Sequence, residues 1–416
     1  MGKVNGQQGV LGSLPGRRIF SALTILDQNK LTGQILAGYV GTLGLGPLML
    51  LPVLVYAYDV PLGFGADIAG YIASAGVLGL AIASILVSVR TRHWDMGYVS
   101  VIGMLIMLIF TLFSIFFQGL VVLYIYSFMA GFGGGLAQAA VAAALARTVR
   151  FERAFAIFSA LQFFYPGIGT FFFLRLLDQE SGWFHGFIGM QWLQVIATVS
   201  ALLCAPVMSA FKNKPNADPK EATSEGGNLE IKALLTAGAI LSNIGMCIYG
   251  ASNGAIFAYS EGIGNSAGLD PSEIGDILGY ANFVAGFAAL GVAAVGNRFG
   301  HYRPLIIGIF FQLFSAFVLY YYVSGIGYMA GMFIFSIAWA VVFPYFLSIQ
   351  SQLDETGSVV TFGQFANLFG ATVGPAVAAF WVGSESNYVA AIWVAVVFTI
   401  LCILPMLAIK IFRTDT

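Results

Sequence analysis

Three runs of small, hydroxyl-bearing and amide residues recur at helical intervals inside stretches that carry no charge. One is Tyr124, Ser127, Gly131, Gly135 and Gln138; another is Ser242, Tyr249, Asn253 and Ser260; the third is Ser159, Gln162, Pro166 and Gly169. Steps of three, four or seven positions put each set on one face of a helix. Amides and hydroxyls exchange hydrogen bonds with an uncharged ligand, and Trp339 and Tyr165, midway along such stretches, are candidates to stack on a planar one. The same residue types also hold helices together by close packing, so each face has a structural reading beside the binding one. No Asp, Glu, Lys or Arg lies near the middle of any of these stretches, which disfavours a ligand gripped there by an ion pair. Glu261 and Asp67, at the ends of charge-free stretches, are the candidates for taking up a proton. His93, His185 and His301 have no partner at metal-ligand spacing, and Cys204, Cys247 and Cys402 have no Cys-x-x-Cys pattern. No metal, cofactor or catalytic residue is assigned.

The elements that carry these faces follow from the charges. Between Lys30 and the C-terminus the charge-free segments are 31–58, 68–89, 96–146, 154–174 and 181–211, then 233–260, 277–297, 304–353, 356–384 and 386–409. A helix rises about 1.5 Å per residue and the bilayer core is about 30 Å thick, so most of these make one crossing. The two stretches of about fifty residues must fold back, and Gln118-Gly119 and Ser324-Gly325-Ile326-Gly327 are the turn points. The expected fold is an all-α membrane protein: twelve transmembrane helices in two six-helix pseudo-symmetric bundles. Only 9% of residues are charged and 59% are hydrophobic, with mean hydropathy +0.87, unlike a soluble domain. A β-barrel would need alternation of period two, which is absent.

Lys and Arg fix the orientation. With both termini cytosolic, seventeen of the eighteen fall on the inside and only Arg175 on the outside. The divisions are a cytosolic tail over 1–30, a first bundle over 31–211, a cytosolic linker over 212–232 and a second bundle over 233–412. Residues 1–30 have no apolar core of signal-peptide type. Arg175 reads either as the partner of nearby Asp178 or as a docking point for an anionic solute. Phe171-Phe172-Phe173 and Tyr320-Tyr321-Tyr322 read as lipid-facing or interfacial anchors. Arg298 and Arg303 are set against Asp354 and Glu355 as an ionic latch on the cytosolic side.

The halves match at an offset near 206 residues: Asp67-Ile-Ala-Gly70 against Glu273-Ile-Gly275, Arg92 against Arg298, and Pro166 against Pro375. A 6+6 duplication with weak internal identity marks secondary transporters. The stretch Gly296-Asn297-Arg298-Phe299-Gly300-His301-Tyr302-Arg303 resembles the loop signature of the major facilitator superfamily. A worn copy stands at Thr91–Asp95, and Tyr165-Pro166-Gly167-Ile168-Gly169 and Gly370-x3-Gly374-Pro375 are similar to that family's Gly/Pro-rich element. Ser127 occupies the position where the family often has an arginine tied to proton coupling, so that relay is not carried over. The resemblance implies a central cavity that would also take in Asn282, Trp339, Gln364 and Asn367, and it adds Arg92 to the cytosolic gate. It implies alternating-access transport of a small organic solute across a cell inner membrane, with proton coupling left open and multidrug-type efflux as the alternative; the uncharged, aromatic-rich helix centres favour a neutral or amphiphilic solute. A membrane enzyme and a non-transporting receptor are the other classes weighed. The expected partners are that solute and the bilayer, with no nucleic acid and the chain a monomer.

Overall fold

The computed structural model describes residues 30–90, 94–145, 148, 151–178, 186–210, 234–295, 298–353 and 358–414. Every regular element among them is helical. The first half of the chain gives α1 (Leu31–Gly44), α2 (Gly46–Met49), α3 (Leu51–Asp59), α4 (Ala66–Arg90), α5 (Met96–Phe116), α6 (Leu120–Leu145), α7 (Phe151–Leu177) and α8 (Gly186–Cys204). The second gives α9 (Ala237–Ala258), α10 (Ser260–Ser266), α11 (Pro271–Val295), α12 (Tyr302–Tyr321), α13 (Gly325–Ser351), α14 (Ser358–Val382) and α15 (Val389–Thr414). Ten of these, α4 to α8 and α11 to α15, are long and apolar enough to cross a bilayer. Both expected fold-back points are turns: α5 ends three residues before Gly119-Leu120, and Ser324 caps α13 by accepting from the Gly327 amide at 3.2 Å. α11 starts on a reciprocal cap. The Asp270 carboxylate accepts the Glu273 amide at 2.8 Å and Glu273 returns a contact to the Asp270 amide at 3.2 Å. The Glu273 amide, then the Ser272 hydroxyl, hold the Asp270 carboxyl below the usual range.

The first charge-free stretch is not the single helix its length predicts. It is broken at Leu45 (φ −78°, ψ 0°) and Leu50 (φ −106°, ψ 19°), and each restart carries a proline, Pro47 or Pro52, at its second position. Proline has no amide hydrogen and its ring crowds the carbonyl four residues back, so the chain steps out of the helix and begins again. Pro166, Pro344, Pro375 and Pro405 instead sit inside continuous helices. One turn after Pro166 the Thr170 hydroxyl donates to the proline's own carbonyl at 2.7 Å, inside the continuous helix; the carbonyl that loses its amide partner to the ring is that of Gln162.

Glycine decides how close the helices lie. A β-carbon on Gly131 of α6 would run into the Gly76 carbonyl of α4, and one on Gly135 into the backbone at Leu80. At Gly131 and Gly135 α6 therefore packs directly on the α4 backbone. Gly250 and Gly254 of α9 lie against the α14 backbone at Asn367 and Ala371, and Gly370 and Gly374 of α14 against the α9 backbone at Cys247 and Ala251. α5 packs on α6 and α12 on α13; α5 also packs on α8 and α12 on α15. Across the midpoint of the chain α7 lies on α11, and α4 lies on α14. Gly167 and Gly279 face each other at the first seam, where an added β-carbon would stand 3.0–3.2 Å from the opposing carbonyl oxygen. On the outside, Ile307, Phe310 and Phe314 of α12 are exposed one turn apart, an apolar stripe suited to lipid.

Candidate functional site

Asn253 sits on the face of α9 opposite its lipid side and is 3% exposed, yet neither its amide nitrogen nor its amide oxygen has a hydrogen-bond partner. One turn earlier the buried Tyr249 hydroxyl also lacks one; the two polar ends approach without reaching hydrogen-bond geometry. Of the other polar side chains of α9, Asn243 and Ser252 are committed elsewhere, while the Ser242 hydroxyl is also buried without a partner. Ser252 joins the Thr399 hydroxyl at 2.6 Å and takes a bond from Gln312 at 3.1 Å. Asn253 opens on a cavity of about 10 Å³, with Trp339 of α13, Asn367 of α14 and Leu48 of α2 among its walls. That volume holds about one water. The aromatic wall is ordered: Trp339 meets Phe257 at 5.2 Å and Phe163 at 6.1 Å, both edge-on, and Phe335 at 6.0 Å. Phe163 belongs to α7 and Leu48 to α2, so both halves of the chain reach this point.

Of the nine sequence candidates, the cavity gathers Asn253, Trp339 and Asn367, with Tyr249 one turn away. Gln138 does not join them. Its amide oxygen takes a long 3.4 Å bond from Ser84, and its backbone lies where a β-carbon on Gly44 would stand, so it belongs to the packing of α6 against α4 and α1. Asn282 is buried but donates to the Leu278 carbonyl of its own helix at 2.8 Å. Tyr165 points its hydroxyl over Gly46, and Gln162 and Gln364 are half-buried outside the cavity wall. A second small cavity, not expected from the sequence, lies within the first half between α3, α5, α6 and α8. Tyr58, Ser127 and Gln194 border it, and Tyr126 donates to Gln191 at 3.1 Å beside it. The three-residue step from Gln191 to Gln194 was the signal for it.

The charges sort differently from their expectations. Arg175 pairs with Asp276 of α11 at 2.6 Å, not with Asp178; it also donates to the Phe171 carbonyl at 2.8 Å and lies 4.2 Å above that residue's ring. The expected local pair is replaced because α7 and α11 run side by side, bringing Asp276 within reach. Phe172, Tyr321 and Tyr322 are exposed as anchors should be, whereas Phe173 is buried in the core. Glu261, 4% exposed, is enclosed at the start of α10, while Asp67 is half-exposed in the first turn of α4. Arg298 and Arg303 are exposed; Arg92, Asp354 and Glu355 of the expected latch lie outside the described residues. Among the described residues no three His, Cys, Asp or Glu side chains gather as a metal site would require.

Ten long apolar helices among the described residues define a multi-pass membrane protein. The chain belongs to the Major Facilitator Superfamily, whose family model matches residues 33–367. No curated protein matches the chain significantly. Membership makes membrane transport its general activity.

Proposed function

We propose that this chain is a secondary transporter for a small, uncharged organic solute with a planar face, carried by alternating access. The observation that carries the reading is Asn253: a nearly fully buried amide with both polar atoms unpartnered, at a point reached from both halves. An unpaired buried amide is costly, and a solute offering a donor beside an acceptor would relieve both atoms at once. Trp339 and Phe257 supply the stacking surface, and Asn367 a further amide. Among the described residues no charged side chain borders the cavity, which supports a neutral ligand over an ionic one.

In this reading α1–α3 together make one crossing and α9 another, giving twelve in two six-helix bundles over 31–211 and 233–412. The repeated neighbour relations of α5 with α6 and α8, and of α12 with α13 and α15, support a pseudo-twofold axis. The 212–232 segment, read as the cytosolic linker, lies outside the described residues; in the same reading both termini are cytosolic and the membrane is an inner membrane. Three hydrogen bonds join the halves at the end assigned to the outside, so the state described is closed there. They are Arg175 to Asp276, Tyr259 to the Ala66 carbonyl at 3.1 Å, and Tyr388 to Asp59 at 2.8 Å. Flux in proteoliposomes against neutral, anionic and cationic metabolites, with and without a proton gradient, tests the proposal. Saturable flux of neutral planar solutes is expected; flux confined to ions, or none at all, would reject it.

A further inference from the structure

Glu261 has no part in the cavity, yet it is the most deeply enclosed acid among the described residues. It is 4% exposed, its Oε1 is buried without a hydrogen-bond partner, and it lies beyond the charge-free crossing, in α10. Each element packed on α10 contributes what faces it. α3 brings Tyr56 and Asp59 from the other half of the chain, and α13 brings Tyr328, whose hydroxyl is already given to the Ser260 carbonyl at 2.9 Å; Tyr259, between α9 and α10, turns away and gives its hydroxyl to the Ala66 carbonyl. The turn before α15 brings Tyr388, whose ring covers Gly262 while its hydroxyl holds Asp59. From α11 it is Ile274 that presses on α10 at Gly264, while Glu273 is occupied with the Asp270 amide. Asp67 and Asp178 add further negative charge around Asp59 and Tyr56. The described cation at this end, Arg175, is held by Asp276.

We propose that Glu261 and Asp59 form a proton-binding site across the seam between the halves, and that this end closes only with a proton bound. Two carboxylates enclosed together without a cation repel each other and lose their hydration, so one of them is held as the neutral acid. Burial, then the Asp59 charge, push the Glu261 carboxyl up. Asp59 keeps the Tyr388 hydroxyl and is the better placed to stay ionised, which leaves the proton to Glu261. Parting the halves would admit water to both groups and let the proton leave. A carboxyl raised in the closed state stabilises that state below its open-state pKa, and the effect fades as pH rises through its closed-state value. The open-to-closed ratio then climbs by up to about tenfold per pH unit across that interval. The open state invoked here is that of the alternating-access reading.

The test uses the full-length chain in lipid nanodiscs, with Cys204, Cys247 and Cys402 replaced by Ala and spin labels on Val60→Cys and Ser384→Cys. Both positions are exposed at this end, one in each half. Distance distributions between pH 5.5 and 8.5 should show one short distance at low pH and a longer population growing with pH. Glu261→Gln should hold the short distance throughout, and Asp59→Asn, at a more exposed position, serves if that variant folds poorly. Two distances whose ratio ignores pH, or an unchanged pH response in both variants, would overturn the proton site while leaving the rocking of the halves intact. A single distance at every pH would remove both.

Discussion

Asn253 and Gln138 carry the same functional group at comparable points on helical polar faces, and the fold uses them differently. Asn253 has no hydrogen bond to lose in this state, whereas Gln138 holds Ser84 between α6 and α4. Asn253→Ala should weaken apparent solute affinity by about tenfold, roughly 1.4 kcal/mol, with the melting temperature unchanged or raised. Gln138→Ala should lower the melting temperature and leave affinity alone. Flux titrations and thermal melts on both variants separate the roles, and reversed results would reassign them. A spacing of three to four identified both faces in the sequence because it reports that a face is polar. What that face meets depends on the neighbouring helix, and no local pattern encodes it.

The glycine seams make a second contrast, between elements. Gly131→Val would force α6 away from the α4 backbone at Gly76, and overpacking of this kind costs about 1–3 kcal/mol or more. Gly291 of α11 has open space where a β-carbon would go, so Gly291→Ala should stabilise by about 0.5–1 kcal/mol through helix propensity alone. Melting in detergent should move in opposite directions for the two. Most helices were legible from charge spacing, since charged residues mark most crossing ends and the two uncharged turns carry glycine. The break in α1–α3 was not, because a charge-free count measures length and not continuity. Pro47 and Pro52 stood in plain view, but Pro166 and Pro375 keep their helices intact, so proline alone did not announce a break.

At the scale of the molecule, the closed end turns on contacts between the halves. Arg175→Cys with Asp276→Cys, in a chain whose native cysteines are replaced by Ala, should be joined by a short bifunctional methanethiosulfonate reagent spanning the gap that the arginine side chain now fills, arresting flux, with reduction restoring it. Continued flux from fully cross-linked protein would show that the halves need not part there. Arg175 was read from sequence as a neighbour of Asp178 because the chain places them three residues apart. Its real partner is a hundred residues away, and only the pairing of α7 with α11 brings it near.

The two elements that open the halves, α1–α3 and α9, are absent from the ten strongly apolar helices. One is interrupted twice and the other gives its side chains to Ser242, Asn243, Tyr249, Ser252 and Asn253. The 31–58 segment is apolar by composition and misses that set only because its helix is cut short, whereas the polar residues of α9 would make it, on emerging from the ribosome, the poorer substrate for the insertion machinery, settling in the bilayer once α11 follows to shelter it. A chain cut after residue 266 and fused to a topology reporter should place α9 inefficiently, and one cut after residue 295 well. The polar content that equips α9 to handle a solute makes it dependent on its successor at birth.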